Sequence, residues 1–306
     1  MFEISVIICS YNPRRDYLRR VLDALQAQTL PKEEWELLLI DNASKEPLVM
    51  GWDLSWHPNA RVIREDELGL TPARLRGIKE STGEILVFVD DDNVLASDYL
   101  EQVVELGRAW PMLGAWGGQS LPEFEIPPPE WTRRFWGMLA LHAFEDDRWS
   151  NQGEDAALPR GAGMCVRRFL AVKYAAALAT DQHRSQLDRK GSLLVSGGDT
   201  DLMFSVCAAG FGTGRIARLR LTHLIPARRL SEDYLAGLCE GMTYSGVWLN
   251  ALHHKPAPPT RARRFVNWLR ALTSGKRERR FRLAAMRGER AAWKALGQTA
   301  NAIHGK

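Results

Sequence analysis

Three short apolar runs, residues 4–9, 36–40 and 85–89, constrain this chain most strongly. Each is rich in β-branched or large aliphatic residues, and each ends at polar or acidic residues. Runs without alternation fit strands buried on both faces of a largely parallel sheet. Helical patterns fill the gaps between them. Residues 17–28 place Leu18, Val21, Leu22 and Leu25 on one face, the spacing of an amphipathic helix. Residues 71–80 do the same with Leu75 and Ile78, with Thr71 as N-cap and Pro72 in the first turn. Strand, helix, strand, helix, strand predicts an α/β fold. Such sheets bind ligands beyond the carboxyl ends of their strands. The residues to inspect are therefore Ser10-Tyr11-Asn12, Asp41-Asn42 and Asp90-Asp91-Asp92.

The rest of the chain supports one such unit with an appendage. Its 306 residues and 45% hydrophobic content allow a sizeable core. Four scattered cysteines without a C-x-x-C pair argue against a zinc site or a disulfide scaffold. No apolar run approaches the roughly 20 residues that span a bilayer, and the N-terminus lacks the features of a signal peptide. The expected location is cytoplasmic, or peripheral on the inner face of the plasma membrane. Residues 110–149 are rich in Trp, Pro and Gly and read as irregular loops and short elements. A second α/β-like portion runs over 161–223, and 231–252 reads as a helix. A hinge, Lys255-Pro256-Ala257-Pro258-Pro259, precedes a basic helical tail. The net charge of +4 comes mostly from that tail.

Three constellations carry chemistry. Asp90, Asp91 and Asp92 follow the third run, where adjacent like charges favour a compensating cation. Magnesium is typically held by one or two carboxylates plus substrate phosphates. Asp41 could accept hydrogen bonds from a base or ribose, or simply form a turn with Asn42. In Ser196-Gly197-Gly198-Asp199-Thr200-Asp201, Asp199 opens an apolar helix. It reads either as a capping residue or as a general base.

Taken in order, these pieces resemble the inverting family-2 glycosyltransferases of the GT-A fold. The matching segments are Ser5-Val6-Ile7-Ile8-Cys9-Ser10-Tyr11-Asn12 and Leu39-Ile40-Asp41-Asn42-Ala43-Ser44. Ala73-Arg74-Leu75-Arg76-Gly77-Ile78, Thr82-Gly83-Glu84 and Phe88-Val89-Asp90-Asp91-Asp92 follow. Gly161-Ala162-Gly163-Met164 and Gly198-Asp199-Thr200-Asp201-Leu202 complete the set.

The resemblance implies a nucleotide-sugar donor, UDP-linked first and dTDP-linked second, with Mg²⁺ or Mn²⁺ as cofactor. It puts Ser10, Tyr11 and Asp41 at the nucleotide, Arg74 near the diphosphate and Asp90 towards the ribose. Asp91 is the unassigned middle member, Asp92 faces the metal, and His223 is a late metal ligand. Asp199 becomes the catalytic base. Leu75 departs from the family pattern beside Arg74, and Gly198 stands where the family often has an acid, which leaves Asp201 as a second carboxylate for the base's work. The Q-x-x-R-W signature of processive synthases is absent, so a single transfer is expected.

The expected architecture is a mostly parallel twisted sheet flanked by helices over residues 1–230. Residues 1–100 form the nucleotide-sugar half and 101–230 the acceptor half. A helical basic extension covers 231–306. The acceptor is expected to be a saccharide or lipid-linked saccharide in bacterial surface polysaccharide or glycolipid assembly. One or two of Trp116, Trp131, Trp136 and Trp149 are expected near it, against the alternative of core packing. In the tail, Arg261, Arg263, Arg264 and Arg270 interleave with Phe265, Trp268, Leu269 and Leu272. Lys276, Arg277, Arg279, Arg280 and Arg282 extend the charge. This suits an anionic membrane surface, or equally a solvated helix packed on its own domain. No nucleic-acid motif accompanies the charge, and no nucleic-acid partner is expected. A non-catalytic scaffold of the same fold is the rival reading, though it predicts damaged catalytic positions.

Overall fold

The computed structural model describes residues 2–181, 184, 187, 194–253 and 258–304, with side chains through residue 297. The first half follows the apolar runs. β1 (Ile4–Ser10) leads through α1 (Arg15–Gln26) to β2 (Trp35–Asn42). β3 (Ala60–Glu65), α2 (Leu70–Glu80) and β4 (Ile85–Asp90) follow. These strands lie parallel in the order β3-β2-β1-β4. The register sets Cys9 opposite Asp90 and Ser10 opposite Asp41. Three carboxyl ends therefore finish side by side. β3 was not legible as a run because its charged residues interleave with apolar ones on a half-exposed edge.

A buried carboxylate ties this half together. Glu36 in β2 accepts from the Ser5 hydroxyl of β1 at 2.7 Å, and from the Thr82 amide and hydroxyl at 2.6 and 2.8 Å. Burial alone would raise its pKa. The Ser5 and Thr82 hydrogen bonds, with Arg61, outweigh that and hold it below the usual value.

Beyond β4 the pattern changes. β5 (Asn93–Leu95), α3 (Tyr99–Ala109), β6 (Leu113–Phe124), β7 (Arg148–Ser150), β8 (Met164–Arg167), α4 (Arg168–Thr180), α5 (Gly198–Ala208) and β9 (Gly212–Ile225) complete the body. β8 inserts antiparallel between β4 and β6, and β9 runs parallel to β6 but antiparallel to β5 and β7. The expected parallel frame thus holds for the first four strands, and the sheet as a whole is mixed. The Trp-rich stretch, expected to be irregular, contains β6, a 12-residue strand. Its glycines read as turn signals but serve close packing. A Cβ on Gly118 would lie 2.1 Å from the Leu219 carbonyl oxygen of β9.

Helices cover both sheet faces. Val6, Ile8, Leu37 and Leu39 pack with Leu18, Val21 and Val103 on the α1 and α3 side. Ile7, Leu38 and Phe88 pack with Ile78, Leu170 and Met203 on the other. The extension comprises α6 (Glu232–His253), α7 (Arg261–Leu272) and α8 (Lys276–His304). Lys255, Pro256 and Ala257 of the expected hinge lie outside the described residues. α8 packs Phe281 and Ala284 against Leu235 and Leu238 of α6. Ion pairs Arg277–Glu232 and Arg287–Glu240, at 2.6 and 2.8 Å, reinforce the contact. Among the described residues no helix is long and apolar enough to cross a membrane.

His57 offers a pH test of this frame. It is buried, with its ring 4.1 Å from that of Trp35. Burial first, then the Lys32 ammonium, pushes its pKa down to about 4. The unfolded chain takes a proton near pH 6.5. Stability is therefore complete above pH 6.5 and falls as pH drops towards 4. His57→Gln should lose about 2 kcal/mol less than the parent between pH 7.5 and pH 5. Urea unfolding at the two pH values measures this, and equal losses in both proteins refute it.

Candidate active site

The aligned ends of β1 and β4 open into a cavity of about 320 Å³, within the range of small-molecule sites. Ser10, Tyr11, Arg74, Asp90, Asp91, Asp92, Asp199 and His223 all line it. Asp41 does not. Its carboxylate accepts from the Ser44 and Leu48 amides at 3.0 and 3.1 Å and from Arg64 at 2.8 Å. Burial opposes its charge, but the bonds from Ser44 and Arg64 hold its pKa below the ordinary range. It fixes the loop after β2, while its neighbour Asn42 reaches the cavity.

The three acids are not equivalent. Asp91 accepts from the Ser10 hydroxyl at 2.6 Å. Burial, then the Asp92 charge, pushes its pKa up to about 7 despite that bond. Asp92 is buried, and its backbone oxygen accepts from the Leu224 amide at 2.9 Å. β5 pairs Asn93 with His223 of β9, which sets the imidazole beside Asp92. His223 Nε2 lies 3.4 Å from Asp92 Oδ1. Sheet register across 130 residues of sequence thus assembles this pair.

Sequence reasoning missed the third member. Arg229, in the turn after β9, lies 2.8 Å from Asp92 Oδ2 and 3.0 Å from His223 Nε2. Burial works against its charge, but Asp92 foremost and the other two acids outweigh this and raise its pKa. Arginine can only donate, so Nε2 presents its lone pair in this arrangement. The spot therefore already accommodates one positive charge, between a carboxylate oxygen and an imidazole lone pair. That donor pair suits Mg²⁺ or Mn²⁺. Among the described residues no group of three or more His, Cys, Asp or Glu gathers to hold a metal. The remaining ligands would have to be substrate oxygens and water. Only charge balance could have revealed Arg229, because an Arg-Arg pair in a short turn carries no motif.

Asp199 stands in the first turn of α5. Its Oδ2 accepts from the Gly161 amide at 3.0 Å. A Cβ on Gly161 would lie 3.0 Å from that oxygen and 3.1 Å from an Arg74 nitrogen. Glycine here lets the loop before β8 hold Asp199 while Arg74 approaches. Asp201, the second candidate carboxylate, is fully buried away from the cavity. It accepts from Tyr174 at 2.9 Å and lies 2.7 Å from His253 Nε2. It ties α5 to α4 and α6. None of Trp116, Trp131, Trp136 or Trp149 lines the cavity. Trp116 is wholly buried, and Trp131 packs on Phe135 and Phe281. Met138, Leu139 and Ala140 form the apolar wall instead, with Tyr234 and Leu238 of α6.

Known proteins resemble this chain in sequence or in fold. Glycosyltransferase AglE of Haloferax volcanii is 32% identical over 104 residues, 33% of this chain and 34% of its own. An N-acetylglucosaminyltransferase of Bradyrhizobium diazoefficiens is 26% identical over 216 residues, 69% of this chain and 42% of its own. The match to AglE thus spans about a third of that relative's length. The mannosyltransferase PcManGT from Pyrobaculum calidifontis, solved with GDP-Man and Mn²⁺, has a TM-score of 0.58 at 18% identity. That match covers 98% of this chain and 80% of the other. S. aureus TarS 1-349 in complex with UDP-GlcNAc has a TM-score of 0.51 at 16% identity, covering 92% and 79%. At these identities the structural likeness is one of fold, here the GT-A fold. Residues 5–170 match the model of glycosyl transferase family 2, and the chain belongs to that family.

Proposed function

We propose that this protein transfers a sugar from a nucleotide-sugar donor to an acceptor hydroxyl by one displacement, with inversion. A single observation carries the reading. The Asp199 carboxylate, a candidate base, and the acidic end of β4 with Arg229, a candidate diphosphate seat, line the same cavity.

The chemistry follows from the side chains. Asp199 Oδ1 or Oδ2 would take the acceptor's proton as its oxygen attacks the anomeric carbon. The Gly161 amide bond to Oδ2 fixes the carboxylate's direction. Asp92 and His223 would hold Mg²⁺ or Mn²⁺ with the donor's phosphates, supplying charge stabilisation to the leaving diphosphate. Arg74 and Arg229 would add fixed positive charge there. Ser10 orients Asp91, Asp90 would face the ribose, and Tyr11 and Asn42 the base. Asp41 would act by shaping the loop beside it. UDP is the first expectation for the nucleotide and dTDP the second. Structural relatives solved with UDP-GlcNAc and GDP-Man support a nucleotide sugar without choosing among them. The acceptor we expect is a saccharide or lipid-linked saccharide of surface polysaccharide or glycolipid assembly. Relatives named as poly(ribitol-phosphate) β-glucosyltransferase and glucosyl-dolichyl phosphate glucuronosyltransferase are consistent with that class.

A thermal-shift screen of nucleotide sugars with Mn²⁺ identifies the donor, since a ligand bound only to the folded state raises the midpoint. Asp199→Asn should keep that shift yet lose transfer by at least about 100-fold. Near-normal transfer would sink the base assignment. Asp92→Ala should abolish Mn²⁺-dependent donor hydrolysis, and unchanged hydrolysis defeats the metal assignment. Gly161→Ala should cut transfer roughly tenfold through displaced Asp199 and Arg74, with the melting midpoint little changed. A loss of folding stability matching the loss of rate would mean that Gly161 serves packing alone.

A further inference from the structure

The sequence of α7 contains five large apolar residues, four arginines and no acid. At about 100° per residue, Phe265, Val266, Trp268, Leu269 and Leu272 fall within one arc of roughly 160°. A helix that covers its own domain turns such an arc inwards. α7 does the reverse. Phe265 is 58% exposed and Trp268 45%, and Val266, Leu269 and Leu272 are exposed beside them. The two aromatic rings stack, with centroids 6.0 Å apart. The side towards the protein carries Asn267, half-buried, and Ala271, the one buried residue of the helix.

This pose is held at both ends. The Thr260 hydroxyl caps the start by accepting from the Arg263 amide. Arg279 of α8 donates to the Ala271 and Leu272 carbonyls at the finish, at 3.3 and 2.7 Å. The charges separate in the same way. In α8, Arg277, Arg280 and Arg287 pair with Glu232, Asp233 and Glu240 of α6. That part of the basic tail is therefore neutralised within the protein. None of Arg261, Arg263, Arg264 and Arg270 makes an ion pair with a described residue.

We propose that α7 is an interfacial helix that lies flat on an anionic lipid surface. Its apolar arc would enter the acyl boundary, and its arginines would meet acidic headgroups. Charge complementarity selects this occupant. Two copies of α7 meeting across a two-fold axis would oppose arginine with arginine. The proposal is independent of the donor and of Asp199.

The test is flotation of the full chain with vesicles of phosphatidylcholine alone or enriched in phosphatidylglycerol. The parent should float with the anionic vesicles at least about tenfold better than with the neutral ones, and less as salt rises. The triple variant Phe265→Ser, Trp268→Ser, Leu269→Ser should lose that binding. So should Arg263→Glu, Arg264→Glu, Arg270→Glu, with both variants melting like the parent. Failure of the parent to float overturns the proposal. Equal flotation by either variant also overturns it. A parent that is dimeric in solution and made monomeric by the serine variant, with no flotation by either, assigns the face to a second copy instead.

Discussion

The structure turns on how charge at the end of β4 is tolerated. A buried strand delivers three carboxylates to one point, and their mutual repulsion is relieved piece by piece. Asp91 has its pKa raised and is bonded by Ser10. Asp92 is met by Asn93, His223 and Arg229. The last two arrive only because β9 crosses the sheet to pair with β5. The second half of the chain is thus electrostatically necessary to the first. An isolated fragment ending near residue 100 would carry the acids without their counter-charges.

The same arrangement explains what one sequence can and cannot announce. β1, β2 and β4 were legible because burial on both faces leaves an unbroken apolar run. β3 and β6 were not. The edge position of β3 permits charges, and the glycines of β6 answer to close strand contacts that no local pattern displays. Among site residues, Ser10, Tyr11, Arg74, Asp90, Asp91, Asp92, Asp199 and His223 line one cavity. Asp41 sits at the right strand end but is satisfied by its own loop. Arg229 escaped notice because its meaning comes from a partner 137 positions away. The tryptophans of 110–149 took the packing alternative or lie off the cavity.

The cavity has two kinds of wall. One wall comes from strand ends fixed by sheet register and by the Glu36 network. A second wall comes from residues 138–140 and from Tyr234 and Leu238 of α6. Asp90, Asp91 and Asp92, which we propose meet the donor, belong to the first wall.

The packing of α8 on α6 gives the C-terminal region a mechanical meaning. α6 contributes Tyr234 and Leu238 to the cavity, and the same stretch of the helix receives Phe281 and Ala284 of α8. Gly288 sits so close that a Cβ there would lie 2.1 Å from the Glu240 carbonyl oxygen. α8 is therefore a buttress for α6, and no residue of α7 joins that cluster. Clipping the chain after residue 254 would remove the proposed lipid-facing helix and the support of one cavity wall together. The two consequences separate only when α7 is altered in place.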